Sequence, residues 1–158
     1  MKSFLKYWLP VIVWLAIMFV GSTDLMSAEQ TSRIIGPLLR WLKPDISAEA
    51  IVRVQFFVRK GAHVTEYALL AALLWRAVRY GIDLRMKMSI LAAAALLACA
   101  ALAASDEFHQ FFVASRTSSA SDVTIDVCGA LIGLAICLVF ESGKQEGGKK
   151  WRQGDSNP

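Results

Sequence analysis

The 158-residue chain contains little cysteine and little histidine, and this scarcity excludes several classes of protein. Its three cysteines, Cys99, Cys128 and Cys137, lie in apolar stretches without metal-ligand spacing, so we expect neither a disulfide framework nor a metal-binding cysteine cluster. Only two histidines are present, and no HExxH or other standard catalytic signature accompanies them. No nucleic-acid-binding motif occurs either, so no nucleic-acid partner is expected.

Charge is also absent from long stretches of the chain. Hydrophobic residues make up 56% of the sequence, more than is usual for a soluble domain. A transmembrane helix needs about 17–25 predominantly apolar residues. Four segments approach this requirement, at 7–23, 52–78, 88–106 and 122–140, although the second needs protein to shield its charged residues. The sequence therefore predicts an all-α, polytopic membrane helix bundle with about four transmembrane helices.

The distribution of basic residues predicts the orientation of this bundle. Basic residues concentrate beside the N-terminus, in the connection 80–87 and in the tail 142–158, whereas the connection 24–50 mixes both signs. The positive-inside rule therefore places both termini in the cytoplasm, and residues 24–50 and 107–121 on the outer side. The net charge of +4 arises from these flanks and favours contact with anionic lipid headgroups of the bilayer.

The segments outside the four spans carry their own expectations. The apolar residues and Trp41 of the connection 24–50 predict a short interfacial helix, with a loop packed on the bundle as the alternative. The polar tail 142–158 is expected to be disordered, basic and cytoplasmic. The first apolar segment also resembles a secretory signal, but its length and poor small-residue site favour a retained helix. Residues 1–141 are therefore treated as one transmembrane domain.

Ionisable residues form one polar stripe on each of the last three predicted helices. Such groups cost about 2.5–3.5 kcal/mol each near hydrocarbon on insertion scales, so we expect them to act together. Helical spacing groups Lys60, His63, Glu66 and Tyr67; Asp106, His109 and Gln110, with Glu107 beside them; and Asp122 and Asp126. All three stripes lie at the predicted outer level, as does Arg116 in the loop between the last two predicted helices. This arrangement predicts one outward-facing polar pocket.

The residue types in this pocket are suited to several chemistries. Lys60 and Arg116 are suited to binding a phosphate or carboxylate, with Asp122 orienting one of them. The candidates for acid–base catalysis are His63, Glu66, Asp106, Glu107 and His109. The candidates for binding are Lys60, Tyr67, Gln110, Arg116, Asp122 and Asp126. The same histidines and carboxylates are also potential ligands of a divalent metal, and the sequence leaves metal and cofactor unknown. The alternative is a structural network that holds the helices together.

Three motifs within these stripes resemble the VanZ-like family of bacterial membrane proteins. They read Arg59-Lys60-x-x-His63-x-x-Glu66-Tyr67-x-Leu69-Leu70, Asp106-Glu107-x-His109-Gln110, and Arg116-x-x-Ser119-x-x-Asp122 followed by Gly129-x-x-x-Gly133. The resemblance covers about residues 56–133. It departs from the family at Asp126, where we expect Asn in many relatives, and at Val113-Ala114-Ser115, where we expect a Pro-Gly turn.

The resemblance implies a multi-pass protein of the bacterial inner membrane. The founding member is associated with low-level resistance to teicoplanin, so an effect on glycopeptide susceptibility is one expectation. Together with the outward pocket, the resemblance favours a protein that binds or acts on a cell-envelope component, such as a lipid-linked or wall precursor with an anionic group. The alternative is a non-catalytic membrane module, a small transporter or an assembly partner. Whether the protein is an enzyme, and its oligomeric state, stay open.

Overall fold

The protein is a bundle of α-helices in the computed structural model, which describes residues 2–23, 28–82, 86–113 and 119–154, with side chains for 4–23, 30–82, 86–113 and 119–143. The helices are α1 (Lys2–Gly21), α2 (Ala28–Leu42), α3 (Ala48–Gly81), α4 (Met88–Phe111) and α5 (Ala120–Gly154). No strand occurs in these described segments. The structure thereby confirms the predicted all-α helix bundle.

Three of the helices are long and apolar enough to cross a membrane. They contain the windows Phe4–Gly21, Met88–Phe111 and Ala120–Gly143, which overlap the first, third and fourth predicted spans. Many apolar side chains on these helices are exposed, for example Leu97 and Val139 at 70% and 72%. Because burying such surface away from water is favourable, this exposure is what a lipid-facing bundle requires.

Helix α3 is the central element of the bundle and contains the charged second predicted span. Ser47 caps its first turn, since its hydroxyl accepts a hydrogen bond from the Ala50 amide at 3.2 Å. The helix runs for 34 residues and packs against α1, α2, α4 and α5. Its C-terminal half supplies much of the apolar core, including the buried Leu70 and Trp75. The neighbouring helices thus provide the protein shield that its polar residues need.

Contacts along the bundle define two ends of the molecule. Lys60 and Trp75 of α3 contact Asp122 and Glu141 of α5 respectively, so these two helices run parallel. Helix α1 runs the opposite way, because its Tyr7 and Trp14 contact Tyr80 and Glu66 of α3. Helix α4 ends beside the end of α1 and the start of α5. We call the end where α1 and α4 finish and α5 begins the site end. At the opposite end, Glu141 accepts hydrogen bonds from the Trp75 indole and the Arg79 guanidinium, at 3.2 and 3.0 Å, and fastens α5 to α3.

Two glycines let α5 approach α3 at backbone distance. A Cβ added at Gly129 would lie 2.9 Å from the Val64 Cα and would also collide with the Val64 carbonyl oxygen. A Cβ at Gly133 would lie 2.9 Å from the Ala68 Cα and collide with the Ala68 carbonyl oxygen. Small residues at such contacts allow close packing of membrane helices. The spacing of these glycines had predicted this role.

Helix α2 packs on one side of α3 near the site end. Its Ser32 hydroxyl donates a hydrogen bond to the Gln55 side-chain oxygen at 3.1 Å. Its exposed apolar residues, Ile34, Leu38, Trp41 and Leu42, recur at helical spacing on one face. The segment 24–50 therefore contains a short helix. Its location at the membrane interface stays a prediction.

Helix α5 extends farther than the sequence suggested. It continues to Gly154, so most of the segment 142–158, expected to be disordered, is helical in the structure. Seven of the thirteen residues 142–154 are Lys, Gln, Glu or Arg, which are good helix formers, and four are glycines, which are not. Adding a turn to an existing helix avoids the cost of nucleation, which favours the extension despite the glycines. Residues 155–158 lie outside the described part of the chain.

Candidate functional site

A cavity of about 640 Å³ opens at the site end and is lined by side chains from all five helices. It brings together six of the residues that the sequence singled out: Lys60, His63, Glu66, Asp106, Gln110 and Asp122. Apolar side chains form the rest of its wall, among them Met18, Ile35 and Phe56. The cavity is therefore polar on one side and apolar on the other.

Lys60 and Asp122 form an ion pair between α3 and α5. The Lys60 ammonium donates a hydrogen bond to Asp122 Oδ1, and both side chains are largely buried, at 24% and 11% exposed. Asp122 lies in the first turn of α5, where the helix dipole also favours a negative charge. The positive charge of Lys60 is thus compensated within the protein.

His63 and Asp126 form a second pair between the same two helices. His63 Nδ1 lies 3.1 Å from Asp126 Oδ1. The Asp126 side chain is completely buried, and its second oxygen, Oδ2, has no hydrogen-bond partner among the described residues. The His63 side chain remains 15% exposed and lines the cavity. Asp126 therefore lies behind His63 and positions its ring.

Asp106 and Gln110 form the contribution of α4 to the cavity. The Gln110 amide nitrogen donates a hydrogen bond to Asp106 Oδ2 at 2.8 Å, one helical turn away. Glu66 of α3 lines the same cavity, and its backbone oxygen accepts a hydrogen bond from the Trp14 indole at 3.0 Å. A carboxylate in this arrangement can accept a hydrogen bond from a ligand hydroxyl. A carboxamide can accept one from the hydroxyl or donate one to it.

Other predicted site residues lie away from the cavity lining. Tyr67 is 1% exposed and belongs to the apolar core. Glu107 is 5% exposed and accepts a hydrogen bond from the Ser119 amide at 2.8 Å, which joins the end of α4 to the start of α5. The His109 ring packs against Phe19 of α1, with 5.3 Å between ring centroids. Arg116 lies outside the described residues.

Arg59 lines the cavity, although its position in the sequence predicted no role in the site. It precedes Lys60 in the first motif, and a charged residue within an apolar helix was the signal that could have identified it. Two serines, Ser119 and Ser121, also line the cavity at the start of α5. Helical spacing could not reveal the contribution of Ser119, because this residue precedes the helix.

A metal site was one of the chemistries considered for these residues. Among the described residues, no group of three histidine, cysteine, aspartate or glutamate side chains is arranged to hold a metal ion. The structure instead shows two pairs between helices, Lys60–Asp122 and His63–Asp126, beside the Asp106–Gln110 pair within α4. This arrangement is suited to exchanging protons and to binding polar groups.

The sequence of the chain matches the model of one known protein family. A family model described as VanZ/LLP1 matches residues 7–141, most of the chain. No curated protein and no solved structure gives a match. The match confirms the resemblance predicted from the three motifs and extends it over the first helix.

Proposed function

Because the chain belongs to the VanZ/LLP1 family and has three apolar helices of membrane-spanning length, we propose that it is a multi-pass protein of the bacterial inner membrane whose cavity binds or acts on a component of the cell envelope. The observation that carries this proposal is the cavity itself, which gathers ionisable side chains from α3, α4 and α5 at one end of the bundle. Ionisable residues inside a membrane protein are costly and commonly mark a functional site.

The location of the cavity supports an envelope ligand. The positive-inside rule puts the site end on the outer side of the membrane. There the apolar wall formed by Met18, Ile35 and Phe56 is suited to an acyl or prenyl chain, and the polar side is suited to a headgroup. A lipid-linked or wall precursor combines both features. An effect on susceptibility to glycopeptides such as teicoplanin would follow from such a ligand.

The chemistry proposed for the cavity is proton transfer. An ionised carboxylate can only accept hydrogen bonds, so Asp126 favours a proton on Nδ1 of His63. Nε2 of the neutral imidazole is then left as an acceptor, which is the arrangement of a general base. Glu66 and Asp106 line the same cavity and are suited to protonate or orient a ligand. Asp126 acts through His63 and is therefore a positioning residue.

A non-catalytic role is the second candidate, and one observation favours it. The Lys60–Asp122 and His63–Asp126 pairs each join α3 to α5. Pairs of this kind hold helices together in transporters and assembly modules as well as in enzymes. Reconstitution in liposomes separates the two: conversion of an added lipid precursor supports an enzyme, whereas vectorial uptake of a solute supports a transporter.

Conservative replacement of the cavity carboxylates tests the proposed function. We expect Glu66→Gln and Asp106→Asn to return a complemented deletion strain to the susceptibility of the deletion strain. Loss of one acid–base group costs about 10²–10⁴-fold in turnover, which is enough to abolish complementation. The measurement is susceptibility to envelope-active antibiotics, teicoplanin included, in strains carrying each variant.

Two controls make this experiment decisive. Membrane levels of every variant are matched by immunoblot, and Glu49→Gln serves as the matched control because its side chain is 81% exposed at the start of α3. The control should complement fully. If both cavity variants also complement fully at equal abundance, the cavity has no role in envelope chemistry, and the structural alternative is supported instead.

A further inference from the structure

Among the described residues that line this cavity, Arg59 is the cation that is free to bind a ligand. Lys60 was expected to hold an anion, but its ammonium is already paired with Asp122. Arg59 lines the same cavity. It has no ion-pair or hydrogen-bond partner in the described part of the chain, and its Nε is buried without a partner. A buried donor left unpaired is energetically costly, so a ligand that accepts its hydrogen bonds would be bound favourably.

The side chain of Arg59 is matched to one type of anion. Its guanidinium presents donors in a planar fork, which fits the oxygens of a phosphate in a bidentate manner. Arg59 lies seven residues before Glu66 on α3, so it lies about 10 Å closer to the site end of the helix at 1.5 Å per residue. A phosphate bound there would therefore lie near the mouth of the cavity.

The surroundings of Arg59 indicate what else the ligand carries. Phe56 and Val58, which precede it on α3 and line the cavity, are 46% and 49% exposed. Such apolar surface at the mouth favours an acyl or prenyl chain over a fully water-soluble ligand. Farther inside, Asp106 and Gln110 offer hydrogen-bonding groups, and the negative charge of Asp106 disfavours a second anionic group there. That part of the cavity is suited to hydroxyl groups.

We propose that Arg59 binds the phosphate of an amphiphilic ligand whose hydroxyl-bearing headgroup reaches Asp106 and Gln110, with its hydrocarbon chain against the apolar wall. This inference rests on the proposed function, because it names the ligand class of the same cavity. It differs from the sequence-based expectation in the residue that holds the anion, since Lys60 keeps its partner Asp122 when the ligand is bound.

Lipid binding by the purified protein tests the proposal. Full-length protein in detergent is titrated with phosphatidylglycerol, which carries one phosphodiester and two hydroxyls, and with zwitterionic phosphatidylcholine, and bound lipid is counted by native mass spectrometry. We expect preferential binding of phosphatidylglycerol, weakened by Arg59→Gln about 10–100-fold, the equivalent of losing a charge-assisted hydrogen bond. Arg59→Lys should retain part of the preference, because it keeps the charge without the bidentate fork.

Arg53→Gln is the matched control for non-specific attraction of anionic lipid. Arg53 lies on the same helix, its side chain is 66% exposed, and it pairs with Glu49 outside the cavity. This variant should bind like the wild type. Equal binding of both lipids to the wild type, or an equal loss in Arg53→Gln and Arg59→Gln, would overturn the proposal. Thermal unfolding of each variant shows whether it is folded. If Arg59→Gln does not fold, the lipid preference of Arg59→Lys tests the proposal in its place.

A water-soluble competitor distinguishes the two sources of a phosphate. Glycerol 3-phosphate is added at millimolar concentration to the phosphatidylglycerol complex. Retention of the lipid supports an amphiphilic ligand. Complete displacement of the lipid by glycerol 3-phosphate, with both at equal concentration, would overturn the part of the proposal that concerns the hydrocarbon chain. Failure here is distinguishable from failure of the proposed function. Glu66→Gln and Asp106→Asn would still abolish complementation if the cavity acted on a different envelope ligand.

Discussion

Alanine at Gly133 should destabilise the bundle more than most single substitutions of this size. The added Cβ would meet backbone atoms of Ala68, namely its carbonyl oxygen and its Cα, and neither can move aside as a flexible side chain would. Overpacking at such a contact costs about 1–3 kcal/mol. For a chain of this length, that corresponds to a fall of about 2–4 °C in Tm for each kcal/mol. Thermal unfolding of purified protein in detergent provides the measurement.

The neighbouring contact and a distant glycine complete this experiment. Gly129→Ala should behave like Gly133→Ala, since its Cβ would meet the backbone of Val64. Gly143→Ala lies on the same helix with nothing within 4 Å of the added Cβ. Alanine is a better helix former than glycine by about 1 kcal/mol, so Tm should stay unchanged or rise slightly in that control. Equal effects at all three positions would show that α3 and α5 do not approach as closely as described.

Removal of the His63 side chain should be costly because of the carboxylate behind it. Asp126 is fully buried, and its contact with His63 is at 3.1 Å. His63→Leu would leave that carboxylate buried without its partner, and breaking a buried pair in this way costs about 3–5 kcal/mol. Replacing both residues by leucine removes the uncompensated charge. The double variant His63→Leu/Asp126→Leu should therefore be more stable than His63→Leu alone.

A double-mutant cycle on Tm measures this coupling directly. The exposed pair Arg53–Glu49, with 3.8 Å between its charged atoms, is the comparison, because surface pairs contribute only about 0–1 kcal/mol. Additive losses at His63 and Asp126 would contradict the described pairing. The outcome also bears on function: a strongly coupled pair holds the His63 ring at the cavity, where the proposed proton transfer takes place.

Both predictions concern the same contact between α3 and α5. The glycines determine how closely the two helices approach, and the Lys60–Asp122 and His63–Asp126 pairs form along that contact closer to the site end. Loss of close packing would separate Lys60 from Asp122 and His63 from Asp126. We therefore expect glycine variants to impair complementation in proportion to their loss of stability, whereas Glu66→Gln should impair it by more than its change in Tm accounts for.

Several features of the site could be predicted from the sequence because they depend on local periodicity. Lys60, His63 and Glu66 recur at three-residue intervals on one helix, and all three line the cavity. The Gly129-x-x-x-Gly133 spacing predicted a close helix contact, and the structure shows one. Long apolar stretches with few charged residues predicted four spans, and three of them coincide with the helices that are apolar enough to cross a membrane. Each of these features is a property of a single helix.

Only the tertiary structure determined which residues meet across helices. The rotation of one helix against the next depends on packing along the whole contact, which periodicity does not specify. Hence His109 faces Phe19 and Tyr67 enters the core, although both were expected in the pocket. For the same reason Lys60 is compensated by Asp122. The adjacent Arg59, which lines the cavity without a partner among the described residues, is left available for a ligand.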